Sequence, residues 1–186
     1  MQYSILYTID SISIMSRRKF KLEYSPIIIG DHAMELHKIS HVTGVNNSAE
    51  TQLILANDAT NSSSPNIAAR NASSGISTLS APLYLMVSTS DYESAREHFR
   101  SSETITPWFR SVYDDKGIHY FANWYSFNYD SLIHTAVKIR SKLVVDKQSL
   151  LVMMSLPAFD KKNKIARTLT KKYLQNAINI ANSYIE

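Results

Sequence analysis

Through the first sixty residues apolar and polar positions alternate in short runs, at 3–14, 19–29, 34–42 and 51–55, separated by polar or glycine-bearing breaks. β-branched residues crowd these runs, and a period of two places them on one side of a pleated strand. The pattern predicts an N-terminal, mostly antiparallel β-sheet. Residues 57–80 are rich in Ser, Asn and Ala and contain Pro65 and Gly75, the composition of a loop or linker.

Beyond residue 80 the period changes. Residues 83–89 form an apolar strand pattern, and Ser90 or Asp91 offers a side-chain oxygen to cap a helix over 92–100. Between β-prone flanks over 112–125, Asp114-Asp115-Lys116-Gly117 is a turn signal and predicts a hairpin. Residues 130–144 are expected to be helical, 150–156 a buried strand, and 161–185 a helix with Ile165, Leu169, Ala177 and Ile180 near one stripe. These elements define an α+β fold, in one domain over 1–186, in which the sheet precedes the helices and the hairpin.

With 186 residues, 44% of them apolar and 19% charged, the chain can bury a core, and its composition excludes collagen-like and disordered classes. The absence of cysteine removes disulfides, thiolate metal sites and cysteine nucleophiles together. Apolar runs such as 150–154 fall far short of the ~20 residues a membrane span needs. No basic region followed by an apolar stretch marks a signal peptide. A soluble protein is expected, either cytoplasmic or delivered by a partner.

Charge is unevenly placed. The formal net charge is +4, and Lys161, Lys162, Lys164, Arg167, Lys171 and Lys172 fall within twelve residues that hold no acid. On a helix such a face would attract phosphate, so these six are the candidate nucleic-acid-binding residues; a solvated helix surface is the plainer reading.

His32, His37 and His41 lie close to Asp31 and Glu35, yet their spacing matches no metal-binding pattern, and no metal is expected. His41-Val42-Thr43 is similar to one half of the paired His-x-Thr signature of two-histidine phosphoesterases, but the second triplet is missing. Four glycines supply neither a dinucleotide fingerprint nor a P-loop, and no cofactor is expected.

Glu93 and Arg96 would project from neighbouring positions on one helix face, a carboxylate and a guanidinium able to act on a single ligand. In that arrangement the acid can stabilise a cationic sugar while the guanidinium assists a leaving group, the division of labour that glycosidic cleavage requires. An isolated surface pair is the bland alternative.

Taken with its surroundings, Glu93-Ser94-Ala95-Arg96 after an apolar strand, followed by Asn123-Trp124 with Trp124 31 residues after Glu93, resembles the ribosome-inactivating protein family of plant and Shiga-type toxin A chains. Upstream, Asp58-Ala59-Thr60-Asn61 is similar to the Asp-Val-Thr-Asn-like element of that family. The resemblance implies removal of an adenine from ribosomal RNA, with Glu93 and Arg96 catalytic and Asn123, Trp124 and Tyr84 binding substrate. The family stacks its extruded base between two tyrosines. Residues 62–83 contain none, which leaves Tyr84, Tyr92, Tyr113 and Tyr120 as substitutes. The chain is also shorter than a full toxin A chain.

Two other readings use the same residues. In the first the chain is a non-enzymatic module of phage, viral or bacterial origin that binds nucleic acid or protein. In the second, Val87-Ser88-Thr89-Ser90 is similar to the Ser-Thr-Ser strand of ADP-ribosyltransferases, which then requires Asp114 or Asp130 to replace a missing downstream glutamate.

Overall fold

The computed structural model describes residues 20–42, 83–160 and 167–185. The runs at 3–14 and 51–55, the linker at 57–80, the 58–61 element, Thr43, and Lys161, Lys162 and Lys164 lie outside the described residues. In chain order the elements are β1 (Ile27–Ile29), α1 (Gly30–Leu36), β2 (Tyr84–Met86) and α2 (Thr89–His98), then a short 3-10 turn (Arg100–Ser102). They continue with β3 (Thr104–Ile105), β4 (Phe109–Tyr113), β5 (His119–Trp124), β6 (Phe127–Asn128) and α3 (Tyr129–Ile133). The hairpin strands β7 (Val137–Ile139) and β8 (Lys142–Val144) then lead to α4 (Lys147–Phe159) and α5 (Arg167–Asn182).

The α+β class is present, but strands and helices interleave along the chain instead of dividing it into halves. All eight strands join one sheet in the order β3-β4-β5-β2-β1-β8-β7, with β6 paired to β5. Most pairs are antiparallel; β1 runs parallel to β8, and β2 to β5. β1 and β2 lie in the middle, and every residue of both is buried. That explains why Ile27-Ile28-Ile29 is an unbroken apolar run: a strand covered on both faces has no polar side.

Ring contacts and pairing register sort the side chains onto two faces. One face carries Tyr120, which stacks with Phe99 at the end of α2, and Arg110, whose guanidinium lies over the Tyr92 ring of α2. The other carries Tyr84, Phe121 and Trp124, the last against Tyr173 of α5. Helices α4 and α5 pack closely on each other.

Four elements differ from the sequence expectation, the first being the 19–29 run, whose described part is strand only over Ile27–Ile29 because Pro26 and the polar residues before it leave the sheet. Residues 34–42 begin in helix α1, not a strand: Gly30 turns the chain at φ +71° and Lys38 closes the helix at φ +61°. The predicted helix over 130–144 is a single helical turn, α3, followed by the β7–β8 hairpin, whose Val-Lys-Ile alternation has the strand period. The predicted strand at 150–156 is the middle of α4. Its buried residues Leu150, Met153, Met154 and Pro157 follow i, i+3, i+4, i+7 spacing, and the Asp146 side chain accepts the Ser149 N–H to cap the helix.

The Asp114–Gly117 hairpin forms where the turn signal placed it. The Asp114 carboxylate accepts the Lys116 and Ile118 amides and the Tyr120 hydroxyl, so one side chain organises the whole turn.

Candidate functional site

Helix α2 starts one residue before the region expected to cap it. The Ser88 hydroxyl accepts the Asp91 N–H at 3.2 Å, while Asp91 is buried and its two oxygens accept the Glu23 and Tyr24 amides at 2.7 and 3.0 Å. Asp91 therefore anchors an incoming segment. Glu93 and Arg96 form an ion pair with each other, each with about two fifths of its side chain exposed.

Beside them, Glu103 accepts from Arg110 Nε and NH2 at 3.0 Å and from the Tyr92 hydroxyl at 3.2 Å. Burial, then the Glu103 carboxylate, pushes the Tyr92 phenol far above its ordinary value. Burial opposes the Arg110 charge, but the hydrogen bond to Glu103 together with the charges of Tyr92, Glu103 and Glu93 outweighs it and raises the guanidinium further. Each carboxylate here already holds a guanidinium, the arrangement of a surface ion-pair strip.

Trp124 lies on the opposite face of the sheet. Along β5, Phe121 and Trp124 are three residues apart, so strict alternation would send them to different sides. A β-bulge changes this: Arg110 pairs with Asn123 and Ser111 with Phe121, leaving Ala122 unopposed. The extra residue turns Trp124 to the side of Phe121, stacked on Phe109 with ring centroids 5.5 Å apart. Its indole N–H donates to the Met153 carbonyl at 3.1 Å. That acceptor is free because Pro157, four residues on, has no N–H with which to bond it.

Asn123, one residue earlier, shares the Arg110 side, and its amide donates to the Trp108 and Tyr125 carbonyls, tying the β5–β6 turn. The five residues expected to form one site are thus divided. Glu93, Arg96 and Asn123 lie on the α2 side, Tyr84 and Trp124 on the α4–α5 side, with the sheet between.

Tyr84 and Trp124 do share a cavity with Asp31, Met153, Met154 and Tyr173. Its volume is about 20 Å³, room for a single water and not for a purine. Behind it Asp31 pairs with Lys172 at 2.7 Å and accepts from the Asn176 amide at 3.3 Å; the Lys172 side chain is only 3% exposed. Lys172, expected on a phosphate-binding face, is instead turned into the core. Nearby, Glu35 contacts His32 and His41, and His37 bonds the Val145 carbonyl. Among the described residues no three His, Asp or Glu side chains converge to hold a metal ion.

The Ser88 hydroxyl serves as the helix cap. Asp114 is engaged in its own turn and Asp130 is exposed in the first turn of α3, so no described cleft joins Ser88 to an acid as a transferase would require.

Of the six candidate cations, Lys171 is exposed on α5, and Arg167 is the first residue of that helix. The exposed cations that sequence reasoning missed lie elsewhere, on the β7–β8 hairpin. Lys138, Arg140 and Lys142 are all exposed, and no carboxylate pairs with them among the described residues. Lys138 stands opposite Leu143 and Lys142 opposite Ile139, which aims the two lysines to opposite faces of the ribbon, with Arg140 at its tip.

Arg140 and Ser141 both have positive φ, +48° and +67°. A two-residue loop with that backbone is a type I′ turn, which normally calls for Asn-Gly. The Val-Lys-Ile-Arg alternation was the signal for this strand, and the missing Asn-Gly concealed its turn.

No family model, no curated protein and no solved structure matches this chain. Among the described residues no helix is long and apolar enough to cross a membrane.

Proposed function

We propose that this protein is a non-enzymatic nucleic-acid-binding module that grips the phosphate backbone with the β7–β8 hairpin. The observation that carries the reading is the set of three exposed cations, Lys138, Arg140 and Lys142, paired with no carboxylate among the described residues and set within five residues of a ribbon at the sheet edge. The segment between Asp130 and Asp146 contains no acid, so its potential is undiluted, and a two-stranded ribbon is narrow enough to enter a groove. The αL residues at the tip support the same reading, because strained backbone of this kind concentrates at functional positions.

The base-removing activity implied by the toxin resemblance would require Glu93, Arg96 and Trp124 to converge, and they lie on opposite sides of the sheet. Binding without cleavage asks nothing of that pair.

The test is fluorescence anisotropy with labelled duplex DNA and stem-loop RNA over a range of salt concentrations. Replacing Lys138, Arg140 and Lys142 by Gln should flatten the log–log salt slope by about 2 to 3, since each phosphate contact contributes roughly 0.9. An unchanged slope, or no binding by the parent protein at low salt, overturns the proposal. So does depurination of ribosomes by the parent protein, read by aniline cleavage.

A further inference from the structure

The register across the middle of the sheet fixes where the hairpin cations point. Phe121 lies beside Met86, Met86 beside Ile27 and Ile27 beside Leu143, so Leu143 and its partner Lys138 share the α4–α5 face with Phe121. Lys142 and its partner Ile139 alternate to the α2 face. Continuing the parallel β1–β8 register by one residue sets Lys142 beside Pro26, about 5 Å away, at the end of the sheet where the chain enters β1.

Two tyrosines stand at that end, on the same face. Asp91 of α2 pins the entering segment by accepting the Tyr24 N–H at 3.0 Å, and Tyr24 itself is 51% exposed. Tyr129 opens α3, and its hydroxyl donates to the Ser25 carbonyl at 3.0 Å, which holds its ring against the segment. Burial, then the charges of Asp91, Asp130 and Tyr24, push the Tyr129 phenol above its ordinary value. The two phenols therefore lie within electrostatic reach of each other.

We infer that the nucleic acid held by the hairpin is unpaired at the point of contact, with its phosphates on Arg140 and Lys142 and a base stacked on Tyr24. This deepens the hairpin reading and rests on it. A duplex keeps its base faces covered, so an exposed ring beside a phosphate grip would have nothing to stack on. An unpaired strand offers a π-face at every nucleotide, and a cationic track with aromatic rings beside it is the arrangement that holds one. Charge sets the direction across the site. Glu23 and Asp130 are exposed next to the rings and repel phosphate, so the backbone follows the Lys142 side while the neutral bases fall over the phenols. Because stacking accepts any base, little sequence preference is expected.

Fluorescence anisotropy at one low salt concentration tests this with three labelled ligands: a single-stranded oligodeoxythymidine of about 12 nucleotides, the same strand paired with its complement, and an abasic strand of equal length that keeps the phosphates and lacks the bases. The single strand should bind more tightly than the duplex and at least about tenfold more tightly than the abasic strand. Tyr24→Ala should shrink the advantage over the abasic strand about fivefold or more, and Tyr24→Phe, which keeps the ring, should preserve it, with far-UV circular dichroism confirming that both variants fold. A parent protein that binds the duplex or the abasic strand as tightly as the single strand overturns this inference and leaves the hairpin grip standing. So does a folded Tyr24→Ala protein that keeps the full advantage. Failure to bind any of the three ligands removes the grip and this inference together.

Discussion

Replacing Lys172 by Met isolates the physics that separates a buried cation from a phosphate-binding one. Methionine keeps nearly the length of the stem but removes the ammonium, leaving Asp31 with the Asn176 amide at 3.3 Å as its remaining described hydrogen-bond donor. Breaking one side of a buried pair destabilises by about 3–5 kcal/mol, because the stranded charge is the larger penalty. The Asp31 side chain is 13% exposed, so water reaches part of it and the low end, about 3 kcal/mol, applies. At this chain length that corresponds to a fall in Tm of roughly 6–12 °C. Urea unfolding followed by tryptophan fluorescence reads the change, since Trp124 sits against Tyr173, the residue next to Lys172. The double variant Asp31→Asn/Lys172→Met removes both charges and should recover most of the loss, leaving about 1 kcal/mol. Meanwhile Lys171→Gln, on the exposed side of α5, should stay within about 0.5 kcal/mol of the parent. A Lys172→Met protein as stable as the parent, or a double variant as damaged as the sum of the singles, would refute the account.

Two further outcomes test local devices. Burial acts to raise the Asp146 carboxyl, but hydrogen bonds from Ser149 and Thr135 outweigh it and hold the group below its ordinary value. The unfolded chain then binds the proton more readily, so the stabilisation is present above about pH 4 and is lost as pH falls through the lower folded value. Asp146→Ala should remove about 1 kcal/mol at pH 7 and flatten the acid limb of a stability–pH profile; an acid limb identical to the parent's contradicts the assignment. At the tip of the hairpin, Ser141→Gly should stabilise by about 0.5–1 kcal/mol, because glycine meets no steric barrier at φ > 0. Its salt slope for nucleic acid should match the parent's, and denaturant midpoints together with anisotropy check both parts.

What could be read from the chain was what local chemistry decides. Asp114-Asp115-Lys116-Gly117 fixes its own turn through one carboxylate, and the strand leading into α2 follows from an apolar run meeting polar capping residues, although the cap is Ser88 and not Ser90 or Asp91. The LLVMMSL run over 150–156 was ambiguous because an apolar stretch suits a buried strand and a buried helix equally. The cap at Asp146, just outside the run, decides it. Lys171 and Lys172 are adjacent and chemically identical, and helix phase separates them: Lys172, three residues after Leu169, flanks the apolar stripe while Lys171 faces away, but the partner of Lys172, Asp31, 141 positions off, could not be read.

The face on which Trp124 falls shows why the candidate site resisted prediction. A period of two assigns Tyr120, Ala122 and Trp124 to one side, the side that α2 and Glu93 cover. One unopposed residue in β5 reverses that assignment, and the register slip that creates it is a property of the β4–β5 pair, not of either strand alone. The indole then needs an acceptor on its new side, which Pro157 provides by leaving the Met153 carbonyl unbonded. Two departures from regular structure, a bulge in the sheet and a proline in a helix, therefore meet at this indole, so the position of the one side chain most relevant to a base-binding site was set by pairs of residues distant in sequence.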